Sequence, residues 1–465
     1  MGIHHIISRG RMEEMRMNDE AKGKPAEIEK PLILVDRTNI GIFGRTNAGK
    51  STIMNLITSQ QTSIVDAKPG TTADVVQTVM EIHDFGPVKL FDTAGLDERS
   101  LLGEKKRHKT LQALKECDLV LLVVDPSDID AHGGFSVENE VASLCRKYEK
   151  QLVLVYNVFS SKTGGIEQLE GQLKVCRGGI GSANSTPSLA LDAHAEGAAE
   201  KLVAFIRGNY VKRERQRELL PLVAPYSFVA MNIPIDEETP AGRLLRPQNA
   251  VLDYLLRRMV PFAGYRMDLK QARSQSEPVR QQEKQRYLDF LSGLSRGPCG
   301  LQLVITDSQA IDVVDAWTPP EIPLTTFSIT MINSQSNGNL VRFVQGLDAI
   351  SKLRDGDRIA IAEACNHNRM CDDIGTKQIP RRLKEKLGIN LEIDFIFGRE
   401  FPPEAELGKY KLVVHCGGCM ADTQKVGARM EDLLLTRVPV TNYGLLLSYL
   451  NGEKTLRRVL APWGL

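Results

Sequence analysis

The sequence predicts an α/β chain of three successive units: a P-loop domain, a small α/β domain, and a doubly wound α/β domain carrying a metal centre. Three observations predict it. An apolar strand, a glycine-rich phosphate loop and a helix follow one another near Gly44–Ser51. A charged stretch at 209–221 separates this unit from a second set of strands and helices. Beyond about residue 319, apolar strand-like runs and amphipathic runs alternate, the rhythm of a mostly parallel sheet. The expected divisions are a disordered tail at 1–31, then 32–210, 211–318 and 319–465.

Composition limits the function classes. The chain has 465 residues, 42% hydrophobic and 25% charged, with a formal net charge of +1. That is enough for several domains with full cores. A near-neutral balance gives no electrostatic reason to expect nucleic acid or an anionic membrane as partner, and no apolar run is long enough to span a bilayer. Eight cysteines in a chain this long do not make a disulfide scaffold. Cys117, Cys145 and Cys176 read as small core or surface residues, and the compartment expected is reducing, the cytoplasm.

In the first unit, Asn39–Phe43 is an expected strand. The segment Gly44-Arg45-Thr46-Asn47-Ala48-Gly49-Lys50-Ser51 fits G-x-x-x-x-G-K-[ST] in full. In such a loop the amides surround phosphate oxygens, Lys50 neutralises the β/γ oxygens, and Ser51 holds Mg²⁺. Thr52 then enters a helix whose positive end faces the phosphates. The strand Lys89–Phe91 ends in Asp92-Thr93-Ala94-Gly95, where Asp92 suits a water-mediated Mg²⁺ contact and the Gly95 amide can read a γ-phosphate. Between them, Thr72 can complete the Mg²⁺ shell.

These residues resemble the translation-factor-like small GTPases over about residues 38–208, especially the subgroup of the tRNA-modification GTPase TrmE and the ribosome-assembly GTPase Era. The resemblance implies GTP as the nucleotide. In that subgroup an asparagine at the position of Asn47 helps hold K⁺ beside the phosphates, in place of an arginine finger; the alternative for Asn47 is a turn-stabilising side chain. Leu96 stands where Ras-like enzymes have a water-orienting glutamine. The base-reading motif N-K-x-D departs further: Gln151–Tyr156 is the expected strand, and it ends Asn157-Val158-Phe159-Ser160. Asn157 is kept, whereas Ser160 cannot replace a carboxylate that accepts two hydrogen bonds from guanine. Weakened guanine specificity is therefore expected.

The second unit has expected strands at Tyr226–Asn232 and Leu301–Asp307 and helices at Gln248–Val260 and Gln282–Leu294. Its charged residues form no catalytic grouping, so a structural or dimer-forming role is expected.

The third unit carries the remaining chemistry. Cys365-Asn366-His367 follows the expected strand Arg358–Ala362, and His415-Cys416-Gly417-Gly418-Cys419 follows Lys411–Val414. If those strands are parallel neighbours, both groups leave the same carboxyl edge of one sheet, where open α/β folds place ligands. Three thiols and two imidazoles fit a Cys₃His zinc and fit equally an iron–sulfur cluster with one open iron. Structural zinc usually staples domains too small for a core, which this one is not. Other strands are expected at Thr326–Met331, Leu391–Phe397 and Val438–Asn442, with helices at Asn339–Leu353, Lys377–Leu387 and Thr423–Thr436 and a polar loop at Asn333–Gly338.

Taken together, the GTPase-like unit, the middle α/β unit and the terminal C-x-H…H-C-x-x-C unit resemble the HydF family, the maturation GTPases and scaffolds of FeFe-hydrogenase. The stretches Leu303–Gln309, Ile361–Cys365, Asp372–Gly375 and Ile379–Arg381 add to the resemblance, which spans about residues 32–465. It implies a 4Fe–4S cluster on Cys365, Cys416 and Cys419, with His367 or His415 among the candidates for the fourth ligand. It also implies a di-iron subcluster precursor as cargo, delivery to apo FeFe-hydrogenase, the radical-SAM maturases HydE and HydG as suppliers, and a homodimer formed through the middle unit. The rival reading is a GTPase assembly factor with a structural zinc, acting on RNA or ribosomes; no basic patch or RNA-binding module supports it.

Overall fold

The computed structural model describes residues 37–465 apart from 59–63, 69–74, 94, 97–100, 128–133, 159–169, 181–185, 213–218, 221–222, 225, 235–243, 245, 297–299, 337, 365–372, 399–400, 403 and 419–422. The expectations for the tail, Thr72, Ala94, Phe159, Ser160, Cys365, His367 and Cys419 lie outside the described residues.

The first sheet is built from β1 (Thr38–Phe43), β2 (Ile64–Lys68), β3 (Val75–Ile82), β4 (Gly86–Thr93), β5 (Leu119–Val124), β6 (Gln151–Asn157) and β7 (Ser188–Leu191), in the order β2-β3-β4-β1-β5-β6-β7. The strands from β4 to β7 are parallel, and β2 and β3 extend the edge antiparallel. All residues of β1 and β5 are buried. That follows from their unbroken apolar runs, because a parallel sheet is covered on both faces. The helices α1 (Lys50–Thr58), α2 (Leu101–Glu116), α3 (Ser136–Lys147), α4 (Glu170–Gly179) and α5 (Ala198–Asn209) belong to this unit. Its two cores lie on opposite sides of the sheet, one under Ile53 and Leu202 and the other under Leu114 and Val141.

The second sheet is β8 (Phe228–Asn232), β9 (Phe262–Tyr265), β10 (Leu301–Thr306) and β11 (Leu324–Thr326), ordered β11-β10-β8-β9 and parallel throughout. Helices α6 (Arg246–Arg257) and α7 (Glu277–Ser295) accompany it, and α8 (Phe327–Gln335) follows β11. Two expectations change here. The second sheet continues through Leu324–Thr326, past the boundary expected at 318/319. The expected strand Thr326–Met331 is largely α8, started by Thr326, whose hydroxyl accepts from the Ile329 amide at 3.2 Å. Nearly all of α8 is buried, so its apolar run has no exposed face to reveal a helical period, and short apolar runs of this kind are ambiguous. Asn333–Gln335, expected in a loop, belong to its last turn.

The third sheet is β12 (Arg358–Glu363), β13 (Glu392–Phe397), β14 (Leu412–His415) and β15 (Val440–Asn442), ordered β13-β12-β14-β15, again all parallel. The helices α9 (Ile379–Leu387), α10 (Thr423–Thr436) and α11 (Tyr443–Asn451) belong to this unit. The chain passes from β12 to β13 on one side, then returns to β14 on the other. The strand order therefore reverses between β12 and β14, the switch point of a doubly wound sheet. The helix expected at Asn339–Leu353 is shorter, Leu340–Gln345, and tightens to 3₁₀ over Gly346–Lys352. A Cβ on Gly346 would overlap the Val440 carbonyl. Residues of the second and third sheets, from Val304 to Val414, pack into one continuous core.

Candidate functional site

Two sites stand on these sheets. The first lies at the carboxyl ends of β1 and β4. Gly44 leaves β1 with φ 149°, and a Cβ there would sit 2.3 Å from the Val123 carbonyl, so only glycine fits. Asn47 adopts the left-handed conformation, φ 64°, which asparagine tolerates better than most residues. Lys50 starts α1, is buried, and its Nζ donates to the Arg45 carbonyl at 2.6 Å. The Arg45 guanidinium turns the other way, gripping Glu138 of α3 through two bonds of 2.8 and 3.1 Å. Glu138 is not legible in the sequence, since no spacing rule links it to the loop.

The Mg²⁺ expectation has a geometric counterpart. Ser51 Oγ donates to Asp92 Oδ2 at 3.1 Å, bringing the two candidate metal groups together between α1 and the end of β4. Asp92 Oδ1 is buried without a hydrogen-bond partner, a position suited to a metal-bound water. Burial raises the Asp92 carboxyl above its ordinary pKa, against the opposing pull of Ser51 and Lys50. A cation at this place would remove that cost. On the rest of the loop, Thr46 and Asn47 are exposed, Ala48 is buried, and Gly49 carries the turn into α1 with φ 93°.

At the base-reading end, Asn157 Nδ2 donates to the Ala48 carbonyl at 3.0 Å, tying the end of β6 to the phosphate loop. Val158, at the place of the usual lysine, is buried, and its amide donates to the Leu191 carbonyl. Leu96 is buried too, which keeps it out of a water-orienting role. Gly95 lies just after β4.

The second site lies at the switch point. Parallel pairing puts Ala362 of β12 opposite His415 of β14, so Ala364 and Cys416 leave the same sheet edge. The Cys416 amide donates to the Ala362 carbonyl at 2.9 Å. In turn, the amides of Ala364 and Gly418 each point at Cys416 Sγ, at 3.3 Å. Two amide donors stabilise negative charge on a sulfur, as in iron–sulfur ligation. Gly418 has φ 67°, and a Cβ there would press on Val426 of α10 at 2.8 Å. Cys365 follows Ala364 directly in the chain.

His415 is placed differently from the ligand expectation. The residue is fully buried. Its Nδ1 lies 2.7 Å from the Cys416 carbonyl, so Nδ1 carries the proton, and Nε2 faces Arg429 of α10 at 3.4 Å. Both ring nitrogens are thus occupied by protein groups, on the side of the strand facing α10. Burial, reinforced by the Arg429 charge, pushes the imidazole down to about 3, so it stays neutral at any physiological pH. Arg429 also donates to the Gly398 carbonyl and stacks 5.0 Å from the Phe401 ring. Among the described residues, no group of three or more His, Cys, Asp or Glu gathers around a metal position. Cys416 is the one cysteine at this sheet edge among the described residues. Cys117, Cys145 and Cys176 are buried in the first unit, with burial pushing the Cys145 thiol up to about 12 and Cys176 to about 11, as inert core thiols.

No helix among the described residues is long and apolar enough to cross a membrane. Comparison with known families gives three matches in chain order. Residues 39–158 match the model of the 50S ribosome-binding GTPase. Residues 219–335 match the hydrogen maturase F dimerization domain, and residues 341–462 match the hydrogen maturase F tetramerization domain. GTPase Der of Buchnera aphidicola is 36% identical over 131 residues, covering 28% of this chain and 27% of its own. The tRNA modification GTPase MnmE of a Cyanothece species is 36% identical over 142 residues, covering 28% and 29%. The chain thus spans little more than a quarter of either relative's length. Among solved structures, an Era variant from Aquifex aeolicus bound to GDP and aluminium fluoride covers 49% of this chain and 92% of its own, at 19% identity and TM-score 0.30. The G domain of the T. maritima iron transporter FeoB covers 37% and 99%, at 19% identity and TM-score 0.26. A P-loop GTPase domain followed by both maturase-specific domains is the architecture of one family, and this chain belongs to it, the hydrogen maturase F family.

Proposed function

We propose that this chain is a GTP-hydrolysing iron–sulfur scaffold that carries a di-iron subcluster precursor and delivers it to apo FeFe-hydrogenase. The observation that carries the reading is the pairing of β12 with β14, which brings Ala364, next to Cys365, within hydrogen-bond distance of Cys416 Sγ. Cys365, Cys416 and Cys419 would hold a 4Fe–4S cluster, whose open iron supplies an exchangeable attachment point. His367, water or a carboxylate is left for that iron. His415 instead positions the peptide behind Cys416. HydE and HydG would supply the precursor, and self-association would run through the second and third units, in keeping with the family models they match.

At the other site, GTP with Mg²⁺ would sit on the loop 44–51, with Ser51, Asp92 and Thr72 around the metal and Lys50 on the β/γ oxygens. Binding would bring Thr72 and Gly95 to the metal and the γ-phosphate, and hydrolysis would remove those contacts. Elemental analysis of the purified chain separates this reading from an assembly factor with structural zinc. Iron and acid-labile sulfide with a broad visible absorption are expected; zinc in their place refutes the scaffold.

Potassium should act at Asn47. Hydrolysis is expected to run faster in potassium than in sodium at equal ionic strength, by up to about 10²-fold, the effect of one well-placed electrostatic group. Asn47→Ala should remove the difference. Equal rates in both salts would leave Asn47 as a turn residue, the role its left-handed backbone already fills.

A further inference from the structure

The phosphate loop and the cysteine edge are on different sheets, yet one pair of helices joins their units. Helix α2 begins shortly after Gly95, the residue suited to reading a γ-phosphate, and its far end lies against α10. There Lys115 Nζ meets Asp432 Oδ1 at 2.6 Å, with both side chains nearly withdrawn from solvent, 9% and 1% exposed. The Lys115 ammonium also lies over the Tyr148 ring. Lys150 stands 3.8 Å from Glu431. At the other end of α10, Gln424 Nε2 donates to the Arg37 carbonyl at 2.9 Å and to Asp118 Oδ2 at 2.8 Å. The same Asp118 oxygen accepts from the amide of Asn39 at the start of β1.

Helix α10 is equally committed on its other side. Val426 packs against Gly418, and Arg429 holds His415 and the Gly398 carbonyl. Gln424 and Glu431, two helical turns apart, share one stripe toward the first unit, while Val426 and Arg429 face the third sheet. One rigid element therefore touches both units through polar contacts of fixed geometry.

We infer that the α2–α10 contact transmits the nucleotide state of the phosphate loop to the Cys416 edge, with the buried Lys115–Asp432 pair as its coupling element. The inference rests on the proposed GTPase function. Separating two desolvated opposite charges is costly, so a shift of α2 on γ-phosphate binding carries α10 with it rather than sliding past. Linkage makes the effect reciprocal: what binds at Cys416 changes nucleotide affinity by the same factor.

Amide hydrogen exchange of α10 in the full chain tests this, with Mg²⁺ and either GDP or a non-hydrolysable GTP analogue, binding of each being verified by calorimetry. Exchange across α10 is expected to differ between the two states on the order of tenfold, the scale of ordinary allosteric coupling. Replacing both partners, Lys115→Met with Asp432→Leu, removes the two charges of the pair together and should erase the difference while both nucleotides still bind. Identical exchange in the two states of the parent chain overturns the inference and does not depend on the variant folding; so does a difference that survives in the paired variant. A parent chain that binds neither nucleotide overturns the GTPase reading and this inference with it.

Discussion

Lys50→Ala is expected to lower GTP turnover by about 10²–10³-fold, the loss that follows removal of one preorganised charge-stabilising group. The structure gives the reason. Lys50 is buried at the first turn of α1, and its ammonium is held 2.6 Å from the Arg45 carbonyl, inside the curve of the loop. Alanine leaves the fold of the loop to Gly44, Gly49 and the Arg45–Glu138 pair, so the variant should stay folded. It also removes a charge that helps keep Asp92 ionised against burial, which weakens Mg²⁺ binding as a second effect. Iron content should not change, because the proposed thiol site follows β12 and β14, strands of a different sheet. Phosphate release at saturating GTP, measured beside the iron content of the same preparation, checks both arms. A variant that loses iron along with turnover would show that nucleotide chemistry is required to hold the centre. Retained turnover would remove Lys50 from its role.

Much of this is legible in the sequence because the strongest signals are local. The phosphate loop is a contiguous motif between an apolar strand and a helix. Helix α10 is expected at Thr423–Thr436, where it is found. Placing both cysteine segments at one sheet edge needs only the premise that β12 and β14 are parallel neighbours, which the pairing of Ala362 with His415 bears out. What escapes is of two kinds. Helix α8 reads as a strand because it is buried nearly all round, and amphipathic period is a signal only where one face meets water. The tertiary partners are invisible because they depend on distant residues: Glu138 for Arg45, Asp432 for Lys115, Arg429 for His415. Each of these is a buried charge or ring satisfied across the fold, and no spacing rule reaches that far. The joint core of the second and third sheets has the same cause, since an apolar face in the sequence does not name what covers it.

Cys416→Ala is expected to abolish nearly all iron binding and with it hydrogenase activation, and Cys365→Ala and Cys419→Ala to do the same. A cubane on three thiolates has no spare ligand, so losing one leaves two of its irons without protein thiolate. At Cys416 the change also removes the sulfur at which the amides of Ala364 and Gly418 point. His415→Ala should behave differently. Its ring fills a buried space, donates to the Cys416 carbonyl and receives Arg429. Removal leaves a cavity and a buried guanidinium with one acceptor fewer, costing about 2–5 kcal/mol of stability, while all three thiols are kept. A cluster should still form in that variant, with an altered spectrum because the peptide behind Cys416 is less firmly held. His367→Ala should likewise keep a cluster and reduce activation without ending it. Iron content, electron paramagnetic resonance of the reduced cluster and activation of apo-hydrogenase, measured on each variant, separate these outcomes. A His415→Ala chain that stays folded yet holds no iron would make the imidazole an obligatory ligand, which requires the ring to leave Arg429 and turn through the strand. A Cys416→Ala chain with its iron intact would place the centre on other residues and end the scaffold model at this edge.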